Sequence, residues 1–224
     1  MAESKEKLVL GYWGIQGLAQ PTRYLLAYHK IDFEDKHYKY PEQKADWFEK
    51  DKPALKTDFP NLPYIKDGDV VVTESLALLV YAASKTGNKD LCGKNSLDSI
   101  KIFQLYSFAN DFRAALRSLA AEKEYEKIRD QVLEEKVKPF VEKLSKNLGE
   151  KEYPLGYLTW ADFAVFNALD ILRRMKPGFL APWPNLEKYF DRINNDGVQA
   201  YRKSENYPKL LGSPEFCTWT GEEK

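Results

Sequence analysis

Three short stretches bring together groups that could do chemistry. In LVLGYWGIQG, residues 8–17, an aliphatic run ends in Tyr12-Trp13 and two glycines follow within four residues. A hydroxyl therefore stands where a predicted strand gives way to a predicted helix. In FPNLPY, residues 59–64, the residue before each proline is driven into extended backbone. Leu62-Pro63 thus offers an amide and carbonyl edge that can recognise a peptide-like ligand through strand-type hydrogen bonds. A cis Pro63 would turn those groups into a cleft. In TES, residues 73–75, Glu74 and Ser75 directly precede a helix. They can cap it, or Ser75 and the first amides can hold a ligand carboxylate with help from the helix dipole.

The elements that must position these groups follow from patterning. KLVLGYW reads as a strand, AQPTRYLLAYHK as a helix with Pro21 in its first turn, and DFEDKHYKY as a second, more exposed strand. PEQKADWFEKDKPAL is polar and irregular, with room for a short helical turn. LPYIKDGDVVVTES reads as a hairpin about Asp67-Gly68, and ESLALLVYAASKTG as a helix ending near Gly87. The order β-α-β-(α)-β-β-α describes a small mixed sheet covered by helices.

After about residue 95 the strand signals stop. Ile102, Leu105, Ala109, Phe112, Leu116 and Leu119 recur at helical spacing. Residues 123–148 read as helical, with Pro139 expected to kink or split the run. LTWADF opens a further helix in which Thr159 can cap and Asp162 can reach back. WPNLEKYFDRI adds another, and SPEFCTWTGEEK reads as an irregular tail whose Phe216 and Trp219 pack onto the rest. The expectation is an α/β domain over residues 1–88 and an all-helical domain over 89–224, joined by a short linker near 86–94.

Composition narrows the classes. Lys+Arg and Asp+Glu balance at 34 each, which argues against a nucleic-acid binder while leaving room for a small positive pocket. The two cysteines, Cys92 and Cys217, form no C-x-x-C pair, and His29 and His37 have no acids at ligand spacing, so no metal site is expected and both histidines are expected at the surface. MAESKEKLVL lacks the apolar core of a signal peptide, and the longest apolar run, LALLVYAA, is too short for a membrane span. A reduced, cytoplasmic protein is expected.

LGYWGIQGLA, DFPNLPY, TES, LCG and TWADF occur in the order seen in cytosolic glutathione transferases, and the chain most resembles the mu class over about residues 7–220. The resemblance implies a thioredoxin-like N-terminal domain with a mixed four-stranded sheet, an all-helical C-terminal domain, and a homodimer. It also implies detoxifying conjugation of glutathione, a co-substrate, to hydrophobic electrophiles without a metal or prosthetic group. On this resemblance Tyr12 donates to the glutathione thiolate. A free thiol has a pKa of ~8.5, and lowering it by ~2 units requires ~2.7 kcal/mol of preference for the anion, which a donated hydrogen bond and helix-terminal amides supply. Tyrosine itself, with a reference pKa of ~10, stays protonated.

The resemblance also assigns the remaining contacts. Leu62, preceding Pro63, would pair its backbone with the cysteinyl part of glutathione, and Asn61 would bind the glycyl side. Trp13, Trp47 and Lys52 match residues around the glycyl carboxylate and cysteinyl region. Lys44 stands where the family commonly has arginine, a less directional substitute. Glu74-Ser75 would hold the γ-glutamyl head, with Glu74 in place of the usual glutamine and so favouring the ammonium. Asp111 falls on the acidic residue that reaches the partner subunit's glutathione. The electrophile pocket would be lined by Leu18, the 110–120 helix and the C-terminal tail.

Some positions depart from the mu pattern. Gly14 and Gln16 replace Asp and Arg, the loop before Trp47 is shorter, and Ala121 stands where a tyrosine assists some electrophiles. The alternatives are a sigma-type glutathione-dependent isomerase, such as a prostaglandin synthase, and a non-catalytic binding protein on the same scaffold. Leu18 counts against the first, since arginine is usual there. Intact Tyr12 and FPNLPY count against the second. A thiol–disulfide oxidoreductase would need a cysteine where Tyr12 stands.

Overall fold

Apolar alternation in LVLGYW buries Leu8, Leu10 and Tyr12 and makes β1, Leu8–Trp13, an inner strand of the sheet. The computed structural model describes residues 7–221. Residues 1–6, on which part of the reading of the N-terminus rests, lie outside the described residues, as do residues 222–224 of the tail.

The sheet has four strands in the order β2-β1-β3-β4. β2, Phe33–Tyr38, runs parallel to β1, with Tyr12 opposite His37. β3, Tyr64–Asp67, runs antiparallel to β1, with Gly11 opposite Tyr64, and β4, Val70–Thr73, closes the hairpin. Asp67 pairs with Val70, so the two-residue loop is Gly68-Asp69 rather than Asp67-Gly68. Gly68, at φ +60, takes the left-handed position.

Helix α1, Gln20–Tyr28, carries Pro21 in its first turn, where the missing N–H costs nothing. The polar stretch after β2 forms a wide π-helical turn over Asp46–Asp51 that runs into the short α2, Lys52–Ala54. α3, Ser75–Lys85, packs against α1 and ends just before Gly87, at φ +76.

Everything beyond α3 is helical or irregular. α4, Ser96–Ala121, buries every member of the seam read from the sequence, Ile102 through Leu119, and packs along α7, Asp162–Met175. The 123–148 run is split as Pro139 requires: α5, Tyr125–Val132, passes through a π turn at Leu133–Val137 into α6, Lys138–Leu148, with Pro139 in its first turn. α8, Pro184–Ile193, and α9, Asp196–Lys203, complete the helices.

Buried polar groups fasten the sheet to the helices. Arg23 on α1 pairs with Asp35 on β2, and Tyr201 on α9 donates to the same carboxylate at 3.0 Å. Tyr24 donates to Asp170 on α7 at 2.9 Å, and Asp170 also pairs with Arg202. These contacts fasten α7 and α9 to α1 and β2.

Neither histidine stands free at the surface, contrary to expectation. His37 lies on the same strand face as Asp35, two residues away, and its Nε2 sits 3.1 Å from that carboxylate. His29 packs edge-on against Tyr28 and beside Phe163, and burial lowers its pKa. Trp219 meets expectation by stacking on Tyr125, whereas Phe216 remains 63% exposed near Tyr40.

Candidate functional site

The turn after β1 is held from two sides. Gly17, at φ +44, lies against Tyr12: a Cβ there would sit 2.6 Å from the tyrosine Cε1 and 2.7 Å from its hydroxyl oxygen. Only glycine lets the backbone pass so close to the ring, which accounts for the last glycine of GYWGIQG. From the other side, buried Gln16 donates to the Tyr207 hydroxyl at 3.0 Å and to the Pro208 carbonyl at 2.9 Å, and accepts from Arg174 at 2.8 Å. The amides of Gln16 and Gly17 donate to the carbonyls of Leu210 and Leu211. The tail is therefore stitched to the turn, and farther on the amides of Thr218 and Trp219 donate to Ala120 at the end of α4. Ala121, the position expected to lack a tyrosine hydroxyl, is the last residue of α4.

Between this turn, α4 and the tail lies a cavity of about 730 Å³. Tyr12, Trp13 and Leu18 line it, as do Arg113 and Arg117 from α4 and, from the tail, residues 210–214 with Phe216 and Cys217. Ile15, Ile171 and Phe48 make much of its surface apolar. The Tyr12 hydroxyl accepts the Leu18 amide at 3.2 Å. That contact uses an oxygen lone pair and leaves the phenolic proton able to donate to an anion in the cavity. The Arg23 guanidinium lies 5.9 Å from the centre of the Tyr12 ring.

The other expected site residues fall into three groups. Lys44 lines the cavity, and its Nζ and that of Lys52 lie 5.9 and 5.7 Å from the centre of the Phe48 ring. Trp47, expected at the ligand, is turned into the core at 2% exposure, stacked on Tyr64 and against Tyr38. The wide turn at Asp46–Asp51 gives the cavity position to Phe48 instead.

Asn61, Glu74 and Ser75 form the second group, at the N-terminus of α3. Asn61 donates to Glu74 at 3.1 Å, and its own oxygen accepts the Leu62 amide at 2.9 Å. A ligand that used that amide would have to displace Asn61. The Leu62–Pro63 peptide is cis. Glu74 has φ +71, unusual for a residue with a Cβ, and its side chain does not cap the helix. Ser75 lines a small cleft with Leu18, Asn110 and Arg113, so Leu18 and Arg113 border both this cleft and the large cavity.

Asp111 makes the third group alone: an exposed position on α4 that is not part of the cavity wall.

Comparison with known proteins decides the family. Residues 8–84 match the family model of the glutathione S-transferase N-terminal domain, and residues 110–205 that of the C-terminal domain. The chain belongs to the glutathione S-transferase family. It is 34% identical over 223 residues to glutathione S-transferase Mu 1 of Oryctolagus cuniculus, covering 96% of this chain and 99% of the relative. A glutathione S-transferase of Tyrophagus putrescentiae is also 34% identical, over 96% of this chain and 98% of its own. Among solved structures, the pi-class glutathione S-transferase of Onchocerca volvulus superposes with a TM-score of 0.77 at 24% identity, over 93% of this chain and 98% of its own. Rat hPGDS complexed with a quinoline gives 0.69 at 28% identity, over 87% and 95%. The fold is thus a thioredoxin-like domain with a mixed four-stranded sheet plus a helical domain, and the protein is a glutathione transferase.

Among the described residues of this transferase, no group of three or more His, Cys, Asp or Glu could hold a metal ion, and no helix is long and apolar enough to cross a membrane. Sequence reasoning missed Arg113 and Arg117. Their signal was present: they lie four residues apart, one position off the apolar pair Phe112 and Leu116.

Proposed function

We propose that this transferase binds glutathione along the turn after β1 and the N-terminus of α3, and joins its sulfur to a hydrophobic electrophile in the cavity, the glutathionyl group being carried over whole. The observation that carries this reading is Tyr12, whose hydroxyl faces the cavity with the Leu18 amide on its oxygen and its own proton available. The phenol donates to the thiolate and lowers its energy before attack. The thiolate then forms the C–S bond directly as the electrophile's leaving group departs with its bonding pair, chloride in the case of 1-chloro-2,4-dinitrobenzene, and no covalent enzyme intermediate is needed.

Lys44 and Lys52 hold the glycyl carboxylate beside Phe48, with Trp13 and Asn61 near that end. The Leu62-Pro63 edge meets the cysteinyl part. Glu74 and Ser75 receive the γ-glutamyl head, where the first amides of α3 favour its carboxylate and Glu74 its ammonium. Trp47 supports this wall from the core. The boundary at residues 88/89 is part of the same reading, supported by the change from sheet to helices after α3.

The mu-class assignment, a cytoplasmic location and a detoxifying role rest on the likeness to mu-named relatives. A homodimer is supported by exposed apolar side chains on one chain: Phe59, 74% exposed, and Leu97, Ile100 and Phe103 at helical spacing on α4. Asp111, on the same helix, would reach the partner subunit's glutathione.

The test is glutathione-dependent conjugation of 1-chloro-2,4-dinitrobenzene. Rapid turnover is the expected result. Glutathione binding without turnover of this or other electrophiles would replace the enzyme by a binding protein.

A further inference from the structure

The cavity is charged in a way the chain as a whole is not. The sequence balances 34 basic against 34 acidic residues, yet the charged groups in the cavity wall are Lys39, Lys44, Arg113 and Arg117 against the single carboxylate of Glu42. Lys44 belongs to the wall assigned above to glutathione. Arg113 and Arg117 stand on α4, the helical wall, where the second substrate must lie.

These two arginines differ from those that brace the interior. Arg23 pairs with Asp35, and Arg174 and Arg202 share Asp170. Among the described residues, Arg113 and Arg117 form no ion pair with a carboxylate, and the one hydrogen bond from the Arg113 side chain goes to the neutral Asn110, at 3.0 Å. Arg113 is half-buried, and a guanidinium that loses water without gaining a carboxylate is held at a cost. Burial, and the like charge of Arg117 beside it, push the Arg113 pKa down. A bound anion would relieve both the desolvation and the repulsion. Ile15, Leu18, Ile171, Leu210 and Phe216 supply apolar surface around the pair.

We infer that the electrophile this enzyme prefers is an amphipathic organic acid, an apolar body whose carboxylate is held by Arg113 and Arg117. The inference rests on the transferase reading above and assigns a substrate class to its second site. The planar fork of arginine suits a carboxylate held by paired N–H donors, and two forks on one helix face fix the position of the acid end of the substrate in the cavity. Were the pair there to stabilise the glutathione sulfur instead, neutral and acidic electrophiles would depend on it alike.

The probes are two glutathione conjugates of equal shape, S-(4-carboxy-2,6-dinitrophenyl)glutathione and its carboxamide, titrated calorimetrically into the wild type, Arg117→Gln and the double variant Arg113→Gln/Arg117→Gln. The carboxylate should bind the wild type about tenfold or more tightly than the carboxamide, as charge-assisted hydrogen bonds allow. The gap should shrink in Arg117→Gln and fall within about twofold in the double variant. A wild-type gap below about threefold, or one that survives in Arg117→Gln, overturns the inference and leaves the transferase reading standing. Failure of both conjugates to bind the wild type overturns that reading, and this inference with it. Arg117 is exposed, so its replacement keeps the test independent of folding.

Discussion

The backbone amide of Leu18 donates to the hydroxyl of Tyr12 at 3.2 Å, across a turn that passes the tyrosine ring at Gly17. A hydroxyl has one proton, and the Leu18 contact does not consume it. The turn therefore fixes the oxygen and leaves the donor to the ligand. Fixing the oxygen beforehand spares reorganisation when the thiolate forms, which makes a preset donor effective.

Tyr12→Phe should raise the pKa of bound glutathione toward the free-thiol value of ~8.5, and lower turnover of 1-chloro-2,4-dinitrobenzene near neutral pH by about 100-fold if the full ~2.7 kcal/mol is lost. Glutathione affinity should stay within about fivefold, because the binding contacts lie elsewhere. Thiolate absorbance against pH, read beside the kinetics, checks both halves. An unshifted thiol pKa would remove Tyr12 from the mechanism.

Gln16→Met keeps the volume of the buried side chain while deleting its bonds to Tyr207, Pro208 and Arg174. Leaving those groups unpaired should cost about 1–3 kcal/mol. The loss should also be local: the amides of Gln16 and Gly17, which donate to the tail carbonyls, and those of Thr218 and Trp219, which donate to the end of α4, should exchange faster than those of β1. Uniform protection along the chain would mean that the tail is held by its apolar contacts alone.

Much of this architecture was legible because it is written in local periods. Alternation in LVLGYW marks β1, the 3–4 spacing from Ile102 to Leu119 marks α4, and Pro139 marks the break between α5 and α6. Asp35 and His37 could also have been read together, since two residues on a strand share a face. Three features depend on contacts that no local period encodes. The seam of Gln16 with residues 207–211 joins positions about 190 apart in the chain. The exchange of Trp47 for Phe48 at the cavity wall follows from a wide turn within an irregular segment, where the facing residue cannot be counted. Arg113 and Arg117 become a site only when the tail and the turn after β1 close over them.

Phe59, Leu97, Ile100 and Phe103 supply the next expectation. If these side chains are covered by a second copy, replacing Phe59 and Ile100 together by aspartate should shift the protein from dimer to monomer in light scattering at micromolar concentration, since charges at the core of an interface are strongly disfavoured. The variant should keep its helical circular dichroism, because these side chains face outward. A wild type that already scatters as a monomer would dismiss both the dimer and any role for Asp111 in a partner's site.

Asp162 carries a pH expectation with a definite sign. Its carboxylate, fully buried at the start of α7, accepts the amide and hydroxyl of Thr159 at 2.7 Å each and the hydroxyl of Tyr189 at 2.8 Å. Thr159 thus donates its hydroxyl to the aspartate instead of capping the helix itself, and the reciprocal half of the expected arrangement is the part that forms. Burial outweighs these hydrogen bonds and pushes the carboxyl up from 3.8 to about 6. A folded-state pKa above the unfolded one gives stability that is complete below the unfolded value and is lost as pH rises through the folded value. The decline therefore falls between about pH 4 and pH 6 and amounts to roughly 3 kcal/mol. Asp162→Asn cannot titrate, so the difference in urea-unfolding free energy, wild type minus variant, should drop by about that amount from pH 4 to pH 7. The subtraction cancels groups common to both proteins, such as the Arg23–Asp35 pair, whose depressed Asp35 pKa acts in the opposite sense. A difference that stays flat or rises across that interval would mean that the Thr159 and Tyr189 donors hold the carboxylate ionised despite its burial.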